Sequence, residues 1–251
     1  MDTGIIETKE LTKYYNKQVA VDNLSFRVDE GEIFGFLGPN GAGKTTTLLM
    51  LMGLSRPSKG SGRICGLDIT RNTREIKRMI GYLPENVGFF NDMDAVQSLQ
   101  YIAELNEMYG DTISDKIHDT LKLVGLYDQR TKKTEAYSRG MKQRLGIAEV
   151  LIKDPRLMFL DEPTLGLDPD GAIQIMDLIQ SLNKEKKITI LLSSHDLHQV
   201  QKISNKVGIM VEGKMIAEGS IDDLAREKFG VGDDEYTLEE IYMKYFREVL
   251  S

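Results

Sequence analysis

Tryptophan is absent from this chain, cysteine occurs once, at Cys65, and histidine three times. A single cysteine excludes an intrachain disulfide. With a polar, acidic start in place of a secretory leader, the chain is expected in a reducing compartment. Long apolar runs are also missing. The two longest stretches without a charged side chain, residues 33–43 and 45–55, are eleven residues each and rich in Gly or Thr. A helix crossing a bilayer needs about 20 mostly apolar residues, so any role at a membrane is expected to come through another subunit. A basic surplus is lacking too: 32 Lys and Arg stand against 39 Asp and Glu, a net charge of −7. That balance argues against nucleic acid as the main partner.

What is present is strand and helix grammar over 251 residues, with no repeat, low-complexity tract or hinge. The N-terminal part reads as an antiparallel β layer, with strands over 5–8 and 19–28 and a turn at Asp29-Glu30-Gly31. The apolar run Ile33-Phe34-Gly35-Phe36-Leu37 suits a strand buried on both faces. A helix is expected over 44–54, a strand segment over 63–69, a short helix over 73–79 and a strand over 80–83. From 94 to 155 the apolar spacing is almost wholly helical: Leu99, Ile102, Leu105 and Met108 share one face, as do Ile113, Ile117, Leu121 and Val124 on the next helix. Strands return at 157–160 and 188–192, with a helix through Leu178 between them and a hairpin at Glu212-Gly213. This alternation predicts an α/β fold: a mostly parallel sheet covered by helices, with the helical stretch inserted. The domain expectation is one unit over 1–220, with a helical subdomain at about 86–155. Residues 221–251 form a helical appendage, its final amphipathic helix over 237–250.

Gly38-Pro39-Asn40-Gly41-Ala42-Gly43-Lys44-Thr45 matches G-x-x-x-x-G-K-[ST] between a buried strand and a helix, the context that gives this motif meaning. Such a loop curls its N–H groups around phosphate oxygens at a helix N-terminus. Lys44 then reaches the β and γ phosphates, Thr45 offers its hydroxyl to Mg²⁺, and Thr46 adds a further phosphate contact. Leu157-Met158-Phe159-Leu160-Asp161-Glu162 ends an apolar strand in two carboxylates at the sheet edge where the metal is held. Asp161 is the candidate metal ligand and Glu162 the candidate general base for the attacking water. Ser138 reads as the N-cap of a helix carrying Met141, Leu145, Ala148 and Ile152, with Gly140 beside it, either a plain cap or a second anion site in the same chain. His195 ends another β-rich run at the same sheet edge.

Taken in order, these segments resemble the nucleotide-binding subunit of ABC transporters over essentially the whole chain. Beyond the two Walker motifs, Tyr137-Ser138-Arg139-Gly140-Met141 resembles the signature sequence and Leu167-Asp168-Pro169 the D-loop. Ser193-Ser194-His195-Asp196 resembles the switch segment, and Leu11-Thr12-Lys13-Tyr14-Tyr15 the A-loop. The resemblance implies a P-loop NTPase core and an ATPase using ATP and Mg²⁺, with Tyr15 stacked on adenine and His195 touching the γ-phosphate. It also implies a head-to-tail homodimer or heterodimer in which Ser138 and Gly140 of one subunit, with Arg139 and Asp168 nearby, close on the nucleotide held by Lys44 of the other. An integral membrane permease is the implied partner, which puts the chain in the cytoplasm, peripheral on the inner face of the cell membrane. Three positions depart from the family. Glu85, a candidate metal ligand with Thr45 and Asp161, stands where glutamine is usual, at a position linking the metal site to the permease, where its charge could help or oppose phosphate binding. Arg139 stands where glycine is common, as a contact to phosphate or ribose or a plain surface charge, and Met141 stands where glutamine is common. This signature, with Leu83-Pro84-Glu85, looks like the subgroup serving ABC-2-type exporters, including multidrug exporters. The expected docking segment runs from Glu85 into the helical subdomain and includes Phe89 and Phe90, which core packing would explain equally well. The rival expectation is a soluble ABC-type ATPase or regulatory nucleotide-binding module with a non-membrane partner.

Overall fold

The computed structural model describes residues 4–230 and 236–250. Strands β1 (Ile6–Tyr15), β2 (Gln18–Leu24) and β3 (Arg27–Val28) open the chain; β4 (Ile33–Leu37) and α1 (Lys44–Leu51) follow, then β5 (Lys59–Ile64) and β6 (Leu67–Asp68). Strand β1 is the hub of an antiparallel layer, pairing with β2, β3 and β5. Next come α2 (Thr73–Met79), β7 (Ile80–Leu83) and the three inserted helices α3 (Ala95–Leu105), α4 (Thr112–Leu123) and α5 (Arg139–Leu151). The chain continues through β8 (Leu157–Asp161), α6 (Pro169–Lys186), β9 (Thr189–Ser194), α7 (Leu197–Ile203), β10 (Lys206–Val211), β11 (Lys214–Gly219), α8 (Ile221–Phe229) and α9 (Leu238–Leu250).

The main sheet runs β11-β10-β4-β9-β8-β7 and is parallel except for β11. Every residue of β4, β8 and β9 is buried, as strands covered on both faces require. The period-2 alternation of side chains sorts those strands between two cores. Phe34, Phe36, Phe159 and Leu191 pack toward the antiparallel layer, where Phe26 stacks on Phe36 at 5.6 Å between ring centroids. Ile33, Leu37, Met158, Leu160, Ile190 and Leu192 pack toward the helices.

The helix starts follow from their caps. Asp94 and Gln97 form a reciprocal capping box at α3, Ser138 accepts from the N–H of Met141 at α5, and Asp168 caps α6 with Pro169 in first position. At two points of contact between strand β7 and helix α5, one of the two elements offers a glycine to a side chain of the other. A Cβ on Gly81 would overlap Val150, and one on Gly146 would sit 2.7 Å from a Leu83 methyl. Helix α9 buries Leu238, Ile241 and Tyr245 in the helix-side core, and the Leu238 N–H donates to Gln201 of α7 at 2.9 Å.

Several boundaries differ from the sequence expectations. The segment 63–69 is no single strand: it folds back at Cys65-Gly66, both at positive φ, so that Arg63 pairs with Asp68. The strand expected over 19–28 breaks at Ser25-Phe26, because β3 leaves β2 to pair with the start of β1. Strand β1 runs on to Tyr15, held on both sides. Helix α1 stops at Leu51, before the left-handed Gly53, whereas α6 continues to Lys186.

Candidate active site

Strand β4 delivers the chain to the phosphate loop. A Cβ on Gly38 (φ +152°) would overlap the carbonyl of Met210 in β10, and one on Gly43 (φ +102°) would overlap that of Ala20 in β2. Glycine at both positions therefore lets two neighbouring strands close on the loop. Gly43 is the N-cap of α1 and offers no side-chain cap, and the first turn holds no acid. The helix N–H groups are thus left for an anion. Lys44 is buried, its Nζ donating to the carbonyls of Gly38 at 2.6 Å and Pro39 at 3.3 Å. Burial pulls the Lys44 pKa down, and the charges of Glu162 and Asp161 act against that.

Asp161, at the end of β8, gathers two hydroxyls. Its Oδ2 accepts from Thr45 at 2.9 Å, and its Oδ1 accepts from the fully buried Ser193. Burial first, then the Asp161 charge, pushes the Tyr82 phenol up to about 12. Glu162 sits at φ +48°, a conformation that costs a non-glycine residue about 1–2 kcal/mol. Its N–H donates to the carbonyl of Ser193 at 3.0 Å and to the Ser193 hydroxyl at 3.3 Å. Its Oε2 lies 2.9 Å from His195 Nδ1. Its Oε1 is buried without a hydrogen-bond partner, 3.9 Å from the Lys44 ammonium. Lys44, Thr45, Asp161, Glu162 and His195 thus lie together.

Ser138, Arg139, Gly140 and Asp168 do not join them. They line a separate cleft of about 510 Å³ that shares no lining residue with the cleft of about 320 Å³ at the phosphate loop. Ser138 Oγ accepts from the Met141 N–H at 3.2 Å, and Asp168 Oδ1 accepts from the Gly171 N–H at 3.2 Å. The Arg139 guanidinium covers Gly166, a left-handed glycine (φ +70°) whose Cβ would overlap it.

Glu85 is exposed and lines the phosphate-loop cleft with Asn40, Gly41, Ala42, Thr46 and Asp161. Tyr15 is half-exposed at the end of β1, paired with Gln18; the cleft wall itself is Gln18, Val19 and Ala20. Sequence reasoning missed that wall, and it missed Tyr82 and Ser193. Ser193 carries a readable signal: a hydroxyl directly after the apolar run 188–192 on the same strand needs a polar partner once buried. Beyond Glu85, a groove of about 240 Å³ lies between Leu83, Val87, Ile102, Asn106, Glu149 and Lys153. Burial raises the Glu149 carboxyl to about 7. Of the two phenylalanines, Phe89 packs against the core, whereas Phe90 is 55% exposed with its ring edge-on to Tyr101. Among the described residues, no helix is long and apolar enough to cross a membrane.

The sequence profile described as "ABC transporter" matches residues 21–165. The bacitracin transport ATP-binding protein BcrA of Bacillus licheniformis is 44% identical over 222 residues, 88% of this chain and 72% of that protein. The Nod factor export ATP-binding protein I of Cupriavidus metallidurans is 34% identical over 228 residues, 91% and 75% of the respective chains. A solved ATP-binding subunit of an ABC transporter superposes with a TM-score of 0.84 at 28% identity, covering 96% of this chain and 99% of that one.

Proposed function

The chain belongs to the ABC transporter family and is an ATPase of it, and from that premise we propose that it is the ATP-binding subunit of an exporter, pairing with a second ATP-binding subunit around Mg-ATP to drive a separate integral membrane permease. One observation carries this reading: a single chain holds two anion-seeking helix N-termini in clefts that do not meet. One nucleotide has no use for both from the same molecule. A head-to-tail pair, of two copies or of this chain with a near relative, brings Ser138 and Gly140 of one subunit onto the γ-phosphate held by Lys44 of the other. The Nod factor export relative named above supports the direction of transport.

In this reading Lys44 exchanges the carbonyls of Gly38 and Pro39 for phosphate oxygens, and the open N–H groups of α1 bind the rest of the chain of phosphates. The donor set fits Mg²⁺: Thr45 and Asp161 are hard oxygen donors already 2.9 Å apart, with Glu85 on the same cleft. The ion would neutralise charge on the β and γ phosphates. Glu162 takes the proton of the attacking water, His195 fixes its carboxylate from one side, and Lys44 stands at the other. Tyr15 takes the adenine, and Asp168 and Arg139 shape the cleft offered to the partner's nucleotide. The permease engages the groove beyond Glu85 and the exposed Phe90, which holds the subunit at the inner face of the cell membrane.

The test is the Glu162→Gln variant with saturating Mg-ATP. Hydrolysis should fall about 10²–10⁴-fold, and light scattering should report a dimer lasting many minutes. A particle that stays monomeric would refute the pairing. Purification from detergent extracts should bring an integral membrane subunit with the chain; a soluble partner in its place would favour the rival reading.

A further inference from the structure

Strand β1 has a register shift between Lys13 and Tyr14, and Tyr15 then pairs with Gln18, the first residue of the cleft wall. With Lys13 opposite Val21 and Tyr14 opposite Val19, the extra residue is Ala20 on β2, in the cleft wall. The Lys13 ammonium lies over the Tyr15 ring, 5.0 Å from its centroid. It is held there by a 2.7 Å hydrogen bond to the carbonyl of Arg56. The Tyr15 hydroxyl lies 3.5 Å from the hydroxyl of Ser55. Ser55 and Leu54 both donate their N–H groups to Leu49, so this segment is fastened to α1, the helix whose first turn carries Lys44 and Thr45. Among the described residues, no carboxylate is within ion-pair distance of Lys13, so its charge is divided between the ring and the Arg56 carbonyl.

An aromatic ring offers two faces, each bearing the negative side of its quadrupole. A cation over one face occupies it and is attracted to it. We infer that Lys13 is a positioning residue for the nucleotide base: it covers one face of Tyr15, ties the ring to the Ser55-Arg56 segment, and leaves the opposite face as the stacking surface for a purine. The inference rests on the reading that Tyr15 takes the base. Lys13 does not touch the nucleotide; it acts through Tyr15.

Equilibrium binding and steady-state kinetics on the full chain test this with two probes, ATP and inorganic tripolyphosphate, which has no base. Lys13→Met keeps the apolar stem and removes the charge. It should raise Kd and KM for ATP about two- to fivefold, hold kcat at saturating ATP, and leave tripolyphosphate binding unchanged, which also reports an intact fold. Lys13→Arg should restore ATP binding. In a Tyr15→Ala background, Lys13→Met should cost nothing further. Unchanged ATP binding in Lys13→Met, or an equal loss for tripolyphosphate, would overturn the inference, the latter by making Lys13 a general attractor of phosphate. If Tyr15→Ala itself leaves ATP binding unchanged, the stacking reading fails first and the inference falls with it.

Discussion

Removing one buried hydroxyl, in Ser193→Ala, should unsettle both carboxylates of the site. Ser193 is fully buried; its hydroxyl donates to Asp161 and accepts from the Glu162 N–H at 3.3 Å. The Glu162 N–H keeps its 3.0 Å bond to the Ser193 carbonyl in the variant, so the main loss is the bond to Asp161. That carboxylate is 3% exposed and keeps only its bond from Thr45 at 2.9 Å. A hydrogen bond to a charged group contributes about 1.5–3 kcal/mol, which for a chain of this size lowers Tm by about 3–12 °C. Loss of a group that orients a metal ligand weakens metal binding about 10–100-fold, so half-maximal ATP hydrolysis should need at least about tenfold more Mg²⁺. The assay is a Mg²⁺ titration of turnover beside a thermal melt, with Ser194→Ala as comparison. The Ser194 hydroxyl accepts only from the Asp196 N–H at 3.0 Å, so that variant should leave the Mg²⁺ requirement alone. A wild-type melt and Mg²⁺ requirement in Ser193→Ala, or an equal shift in Ser194→Ala, would refute the reasoning.

Gly38→Ala drives a methyl into the Met210 carbonyl, main chain that cannot swing aside; it should cost about 1–3 kcal/mol in urea unfolding and abolish ATP binding, and retained binding would contradict the fit of the loop against β10. Glu149→Gln should change the pH dependence of stability. Burial raises the Glu149 carboxyl to about 7 from 4.5, so between those values the folded chain keeps a proton the unfolded chain has released. Stability therefore falls as pH rises through that window and levels off above it. The amide removes this slope, with a gain on the order of 3 kcal/mol at most at pH 8.5 and much less at pH 5.5; parallel urea midpoints for the two proteins across that range would refute it.

The phosphate loop, the acids of β8 and the cap at Ser138 are legible in sequence because each sits where a local pattern changes, from apolar strand to Gly-rich turn or from strand to carboxylate. Partners brought in by sheet order are not. Ser193 meets Asp161 only because β9 lies beside β8, and Val19 joins the cleft only because β2 folds over the loop at Gly43. Parallel neighbours are set by crossovers, which leave no mark in the residues themselves. The hairpin at Cys65-Gly66 was hidden for a different reason. Cys65 takes a positive φ without being glycine, so the turn lacks the usual residue signature at its first position. Conversely, Phe89 and Phe90 are adjacent and alike in sequence, and only packing separates the half-buried one from the exposed one.

The contact of β7 with α5 through Gly81 and Gly146 has a mechanical meaning. With bare backbone pressed against side-chain methyls, the two elements have no compliant layer between them, and a packed interface shifts as a block instead of shearing gradually. The strand runs out toward Glu85, and the helix begins at the hydroxyl of Ser138. The close contact at these two glycines is what ties the Glu85 end of the strand to the Ser138 end of the helix.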